Sequence, residues 1–302
     1  MPSESAGRKA LRDHGRAFAW ESEYAAAFPL AWYADFLDEI VRRGIRVVTY
    51  RDLFAGVDDY DHEQRFPLEK AAWDSRTQDS HPPTLVIQHD VDYVPEFTHR
   101  MIEMEMACGI RSNVLVFNEL HATESQEAKR PYGLDFDLLR RAEAAGFVIG
   151  YHNNVLQRGV RTLAEAEVKF EADVVALRKQ VSIEYFCPHG GRAVEIDGKS
   201  MHNYDVPIPQ SLRGTIRWVY NRFGVKFNST WSDGGIRKRV GDAVDSLDLV
   251  GTYVPSMSPG RRYFVLVHPQ RWGHQVEAKL NPTLAERPWF KRVIAAHSQV
   301  AS

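Results

Sequence analysis

Along most of this chain, short apolar runs alternate with longer amphipathic segments, and polar residues gather where the apolar runs stop. The stretch PLAWYADFLDEIVRRG sets Trp32, Phe36 and Ile40 at helical spacing and ends at Gly44; IRVVTYRDL then reads as a strand. TLVIQH, from Thr84, predicts a strand that runs into an acidic turn and then a helix through EFTHRMIEMEMACG. SNVLVF is the next strand, DFDLLRRAEAAG the next helix, and GFVIGYH a strand ending in His152. TLAEAEVKFEADVVALRKQ is helical, SIEYFCPHGG is a strand with a glycine-rich end, and RRYFVLVHPQRW is a strand ending in His268. The polar, proline-broken DDYDHEQRFPLEKAAWDSRTQDSHPP reads as a surface connection, and NSTWSDGG as a loop carrying an acid.

Strands that alternate with helices imply an α/β fold, a parallel sheet or barrel with helices outside. One domain over residues 1–302 is expected, with 1–83 a helical and strand extension packed on it. In such folds the carboxyl ends of the strands share one face, where functional groups collect. His89, Asp90 and Asp92, then His152, His189 and His268, all fall at predicted strand ends. A single site can therefore be assembled from segments far apart in sequence.

Composition narrows the function classes. The chain is 44% hydrophobic, enough for a large core, and its formal net charge of -2 offers no field to attract nucleic acid or an anionic membrane. The start MPSESAGRKALRDHGRAF lacks the apolar core of a secretory signal, and no apolar run is long enough to span a bilayer. Cys108 and Cys187 read as free thiols of a reducing compartment, so a cytoplasmic protein is expected.

Each candidate also has a plain structural reading. Asp90 and Asp92 could form an acidic turn or cap the following helix. His152 could be a core histidine bonded to a backbone carbonyl, and His268 could merely close a strand before Pro269. The glycines after His189 could serve only to turn the chain. Two carboxylates that close lose solvation and repel each other unless a cation or a proton lies between them. A neutral imidazole at a strand end is a good ligand for a divalent metal. Glu119 and Asp233 remain possible members; His14, His62, His81 and His297 lie in polar stretches and read as solvated.

From Thr84 to Trp272 the order of motifs resembles the polysaccharide deacetylase family, the NodB-homology or carbohydrate esterase 4 group. The nearer likeness is to its divergent bacterial branch with an H-D-x-D first motif, found in clusters for surface polysaccharides such as O-antigen. Asp90 and Asp92 match the acidic pair, GFVIGYH with His152 the second motif, CPHGG the third, STWSDGG with Asp233 the fourth, and LVH with His268 the last. The resemblance implies a distorted (β/α) barrel with a divalent metal at its mouth, Zn²⁺ foremost and Co²⁺ or Ni²⁺ as alternatives. Asp92 and His152 would be ligands and Asp90 the base. His268 would be the acid, and the backbone around His189 and Gly190 an oxyanion site. The family's second metal histidine falls at Leu156, so His189 is the leading third ligand, and a histidine placed at 156 would add one if it faced the pocket. The third-motif arginine and tyrosine are absent, with Arg192 the nearest compensation.

The expected substrate is a sugar or sugar nucleotide bearing an N-acyl group. Two rivals stand beside this reading. In a glycosyltransferase, Asp90-Val91-Asp92 would hold Mg²⁺ or Mn²⁺ and a nucleotide sugar, which leaves the three histidines without roles. A non-catalytic sugar-binding barrel is favoured by the loss of the usual third ligand.

Overall fold

The computed structural model describes residues 5–14, 26–55, 81–120, 132–219, 227–234, 248–276 and 285–297. Its strands are β1 Phe28–Pro29, β2 Arg46–Val47, β3 Thr84–Val91, β4 Asn113–Val116, β5 Val148–Asn153 and β6 Tyr185–Pro188. They continue as β7 Val194–Ile196, β8 Lys199–Met201, β9 Arg217–Trp218, β10 Ser229–Ser232, β11 Arg262–Val267 and β12 Trp272–Gly273. The main sheet has the order β10-β11-β3-β4-β5-β6-β9, with every neighbouring pair parallel. β2 adds to the first half of β3, on the edge that β4 takes over from Gln88 onward. The result is a mixed α/β architecture with a curled, parallel half-barrel. Among the described residues the curl stays open: β9 and β10 are its edges, where a barrel would pair them.

The helices follow the apolar spacing. Leu30–Arg43 buries Trp32, Tyr33, Phe36, Leu37 and Ile40 and stops at Gly44, whose φ of 62° is left-handed and suits glycine. Trp32 stacks on Trp272 at 5.7 Å, and β1 pairs β12, so residues from Phe28 onward lie against the C-terminal strands. Helices Phe136–Ala144 and Leu163–Arg178 start at Asp135 and Thr162, whose side chains accept backbone N–H bonds as N-caps.

Two sequence expectations are corrected. IRVVTYRDL is a strand only at Arg46–Val47, because Thr49 and Asp52 form a capping box that starts the short helix Tyr50–Leu53. STWS, expected in a loop, is β10; a half-exposed edge strand has too few apolar residues to announce itself. DDYDHEQRFPLEKAAWDSRTQDS lies outside the described residues.

Alternation along the strands separates two outer cores, under the helices, from one inner core. The inner face holds Val86, Leu115, Val148, Tyr185, Cys187 and Phe264, with Tyr50, Leu53 and Phe54 of the capped turn packed against them. Gly150 belongs to this layer by necessity: a Cβ there would lie 2.3 Å from Leu115 Cδ2 and 2.9 Å from the Tyr185 carbonyl oxygen. The polar cluster sits on the same face, towards the carboxyl ends. No helix among the described residues is long and apolar enough to cross a membrane.

Candidate functional site

β3 presents Gln88 and Asp90 to the inner face and His89 to the outer one. Past the strand, the Asp92 N–H donates to the Asp90 carbonyl at 3.1 Å. Both carboxylates are buried, and neither caps the next helix: that position is Val94, in a left-handed conformation with φ 33° and no side-chain bond. The helix-capping reading of the acidic pair therefore falls away.

Three segments bring their ligating atoms together. Asp92 Oδ1 lies 3.2 Å from His152 Nε2 and 3.1 Å from His189 Nδ1, and the two ring nitrogens are 3.4 Å apart. His152 Nδ1 faces the Cys187 carbonyl oxygen at 2.9 Å; donating there leaves the Nε2 lone pair turned to the cluster. Phe117 stacks on His152 at 5.2 Å and meets His189 edge-on, walling the site with an apolar ring. Despite this proximity, the buried Asp92 Oδ1 makes no hydrogen bond. Asp92, His152 and His189 could hold a metal ion. An orphaned carboxylate oxygen aimed at two imidazole nitrogens is a donor set that a divalent cation fits. Asp90, His152 and Cys187 offer a second such grouping, but burial pushes the Cys187 thiol up to about 11, so its ready anion is missing.

Electrostatics agrees with the geometry. Burial works to raise the Asp92 pKa, but His189 and His152 outweigh it and hold the carboxyl well below the usual range. Burial works to lower the His152 pKa, but Asp90 and Asp92 outweigh it and raise it well above the ordinary histidine value. The acids thus favour a positive charge at the imidazoles, a proton on His152 or a cation in its place.

Asp90 stands beside this cluster, with Oδ2 3.8 Å from His152 Nε2. Its Oδ1 accepts a 2.6 Å hydrogen bond from Gln88 Nε2, and Gln88 Oε1 accepts from the Tyr50 hydroxyl. Gln270, just past β11, donates to Asp92 Oδ2 at 3.3 Å. His268 forms a separate pair with Asp233, Nδ1 to Oδ1 at 2.5 Å. Asp233 Oδ2 accepts from the His268 backbone N–H at 2.7 Å and from Trp272 Nε1 at 2.9 Å. Burial opposes charge on His268, but Asp233 first, then Asp92 and Asp90, raise its pKa. The field of both Asp90 and Asp92 reaches His268.

Other candidates lie elsewhere. His189 donates its backbone N–H to the Asn153 carbonyl at 2.8 Å, so that amide is already spent and cannot serve an oxyanion. Leu156 is buried in the outer core with Val155 and Phe170, a different cluster from the inner-face residues around the ligands. Glu119 pairs with Arg158 at the surface, and Arg192 is exposed. His297, expected in solvent, is largely buried against Asp35 at 2.7 Å. Gln88, Phe117 and Gln270 were missed by sequence reasoning. Gln88 alone had a usable signal, its place two residues before Asp90 on one strand face.

No family model matches the chain, and no curated protein matches it. Among solved structures it is similar to the chitin deacetylase from the fungal pathogen Colletotrichum lindemuthianum. The two are 12% identical with a TM-score of 0.36, over 72% of this chain and 84% of that one. Likeness that remote leaves the site to be read from its own geometry.

Proposed function

We propose that this protein is a metal-dependent amide hydrolase that removes an N-acyl group, acetyl in the simplest case, from a sugar or sugar nucleotide. The motif order favours a substrate of bacterial surface polysaccharide biosynthesis, such as O-antigen. The observation that carries the reading is the buried, hydrogen-bond-free Asp92 Oδ1 between His152 and His189.

Asp92, His152 and His189 would hold the ion, Zn²⁺ foremost. When bound, such an ion polarises an amide carbonyl and makes water acidic enough to lose a proton near neutral pH. Asp90, held beside the ligands, takes that proton through Oδ2 as water oxygen bonds to the carbonyl carbon. His268 then gives a proton to the amide nitrogen as the C–N bond breaks, leaving a carboxylate and an amino sugar. Asp233 equips His268 to act as the acid, because it occupies Nδ1 and favours the charged ring, so Nε2 is the proton to give. The Gly190 N–H is the remaining candidate donor to the developing oxyanion.

The test is acetate release from UDP-N-acetylglucosamine and other N-acetylated sugars, with added Zn²⁺, Co²⁺ or Ni²⁺ and with chelator. Acetate that requires the ion supports the reading. His268→Ala should keep the ion and slow release by about 10²–10⁴-fold. Release of UDP in place of acetate would mean glycosyl transfer, and failure to bind any divalent ion at millimolar concentration would sink the hydrolase reading.

A further inference from the structure

Asp90 and Asp92 are chemically alike, lie two residues apart and face the same imidazole, at 3.8 Å and 3.2 Å. Nothing in the residue type decides which of them would hold an ion. Their surroundings do. Each aspartate accepts from one glutamine amide, but unequally. The buried Gln88 holds Asp90 Oδ1 at 2.6 Å and leaves Oδ2 3.8 Å from one ring. Gln270 reaches Asp92 Oδ2 only at 3.3 Å and leaves Oδ1, which has no donor, within 3.2 Å of two. An amide can be turned either way round, and here its partners settle the choice. Tyr50 donates to Gln88 Oε1, so the NH₂ group must face Asp90. Tyr50 is in turn held by its own backbone N–H, which donates to Asn113 Oδ1 at 2.8 Å.

Resting on the metal reading above, we propose that Gln88, locked by Tyr50, is the positioning residue that divides the labour of the two aspartates. It tethers Asp90 away from the ion as a base and leaves Asp92 as the ligand. Without the tether, Asp90 would keep a buried oxygen with no donor and would turn towards the cation.

This makes an unusual demand on metal affinity. Removing an outer-shell partner normally weakens binding by about 10–100-fold; here it should tighten it. The experiment titrates Zn²⁺ alone into wild type, Gln88→Met (same length, no N–H), Asp92→Asn and the double variant. Gln88→Met should bind Zn²⁺ at least about threefold more tightly than wild type. The double variant should recover about tenfold of what Asp92→Asn loses, because the freed Asp90 takes the ligand's place. Equal or weaker binding by Gln88→Met, or no recovery in the double variant, overturns the proposal. If Gln88→Met does not fold, Tyr50→Phe decides: it lets the amide turn over, and the same gain is expected at smaller size. In acetate release, Gln88→Met should lower kcat and leave KM unchanged. The titrations need no substrate, so a wild type that binds Zn²⁺ but frees no acetate removes the deacetylase reading and still decides on Gln88.

Discussion

His89 and Asp90 are neighbours on β3, yet they belong to two buried acid–histidine clusters set back to back on opposite faces of the sheet. On the outer face, Glu105 from helix Pro95–Ala107 accepts from His89 Nε2 at 2.9 Å, Tyr33 at 2.5 Å and Ser112 at 2.7 Å. Both carboxylate oxygens are satisfied, under fully buried side chains. The open polar atom there is a ring nitrogen, His89 Nδ1. On the inner face it is a carboxylate oxygen, Asp92 Oδ1, with two imidazoles turned towards it. Residue type does not distinguish the two clusters. What distinguishes them is the state of the acid: Glu105 is satisfied at both oxygens, whereas Asp92 leaves one open towards two imidazoles. A satisfied carboxylate stabilises the fold; an open one among ring nitrogens is a place for a cation to bind.

The largest effect expected from this contrast is on binding. Asp92→Ala should lower Zn²⁺ affinity by more than about 100-fold, beyond what loss of an outer-shell partner costs, at a smaller cost in metal-free stability than the loss of Glu105, whose carboxylate accepts three hydrogen bonds. Metal content after dialysis and urea unfolding together check it; a strongly destabilised Asp92→Ala would erase the distinction. Glu105→Ala should do the reverse. Breaking a buried pair on one side costs about 3–5 kcal/mol, and the fraction that folds should bind Zn²⁺ as wild type does. Ser112→Ala is the milder version, at about 1.5–3 kcal/mol for one hydrogen bond to a charged group.

Leu156→His sharpens the contrast from the sequence side. The family pattern invites a histidine there, but the side chain packs in the outer core. An imidazole without partners in that core should cost about 1–3 kcal/mol, with no gain in Zn²⁺ affinity by calorimetry.

The smallest effect belongs to a third acid–histidine group nearer the surface. Asp35 joins the Arg8 guanidinium at 2.7 and 2.8 Å to His297 at 2.7 Å, tying three helices together. Burial raises the Asp35 pKa, but His297 and Arg8 outweigh it and lower it. Its contribution is therefore present above the ordinary aspartate value near 3.9 and lost as pH falls through the lower folded value. Asp35→Asn should cost about 1 kcal/mol or less at pH 7, and the gap from wild type should close in acid. Urea midpoints between pH 7 and pH 3 measure it.

The sheet was legible where apolar runs are long. β3, β5 and β11 announce themselves, and the polar residues at or next to their ends, Asp90, His152 and His268, follow from the end of each run. β10 and the Tyr50 helix were not legible, because an edge strand is half polar and a capping box overrides strand-like residues. Within the site, ligand types stand out in a sequence, whereas the groups that orient them do not. Gln88, Phe117 and Gln270 are ordinary residues until folding brings a partner from another segment. His89 misled for a different reason: it lies beside the acids in sequence but, by alternation, across the sheet from them.

That alternation ties the fates of the two clusters. Because β3 serves both faces with successive residues, a one-residue insertion or deletion within it would exchange them. His89 would turn inward among the ligands, and an unaccompanied aspartate would enter the helix-packed core beside Glu105. Neither face could be repaired without undoing the other. Point substitutions can tune this strand, but a change in its length is closed to it, and any descendant of the chain must inherit its spacing whole.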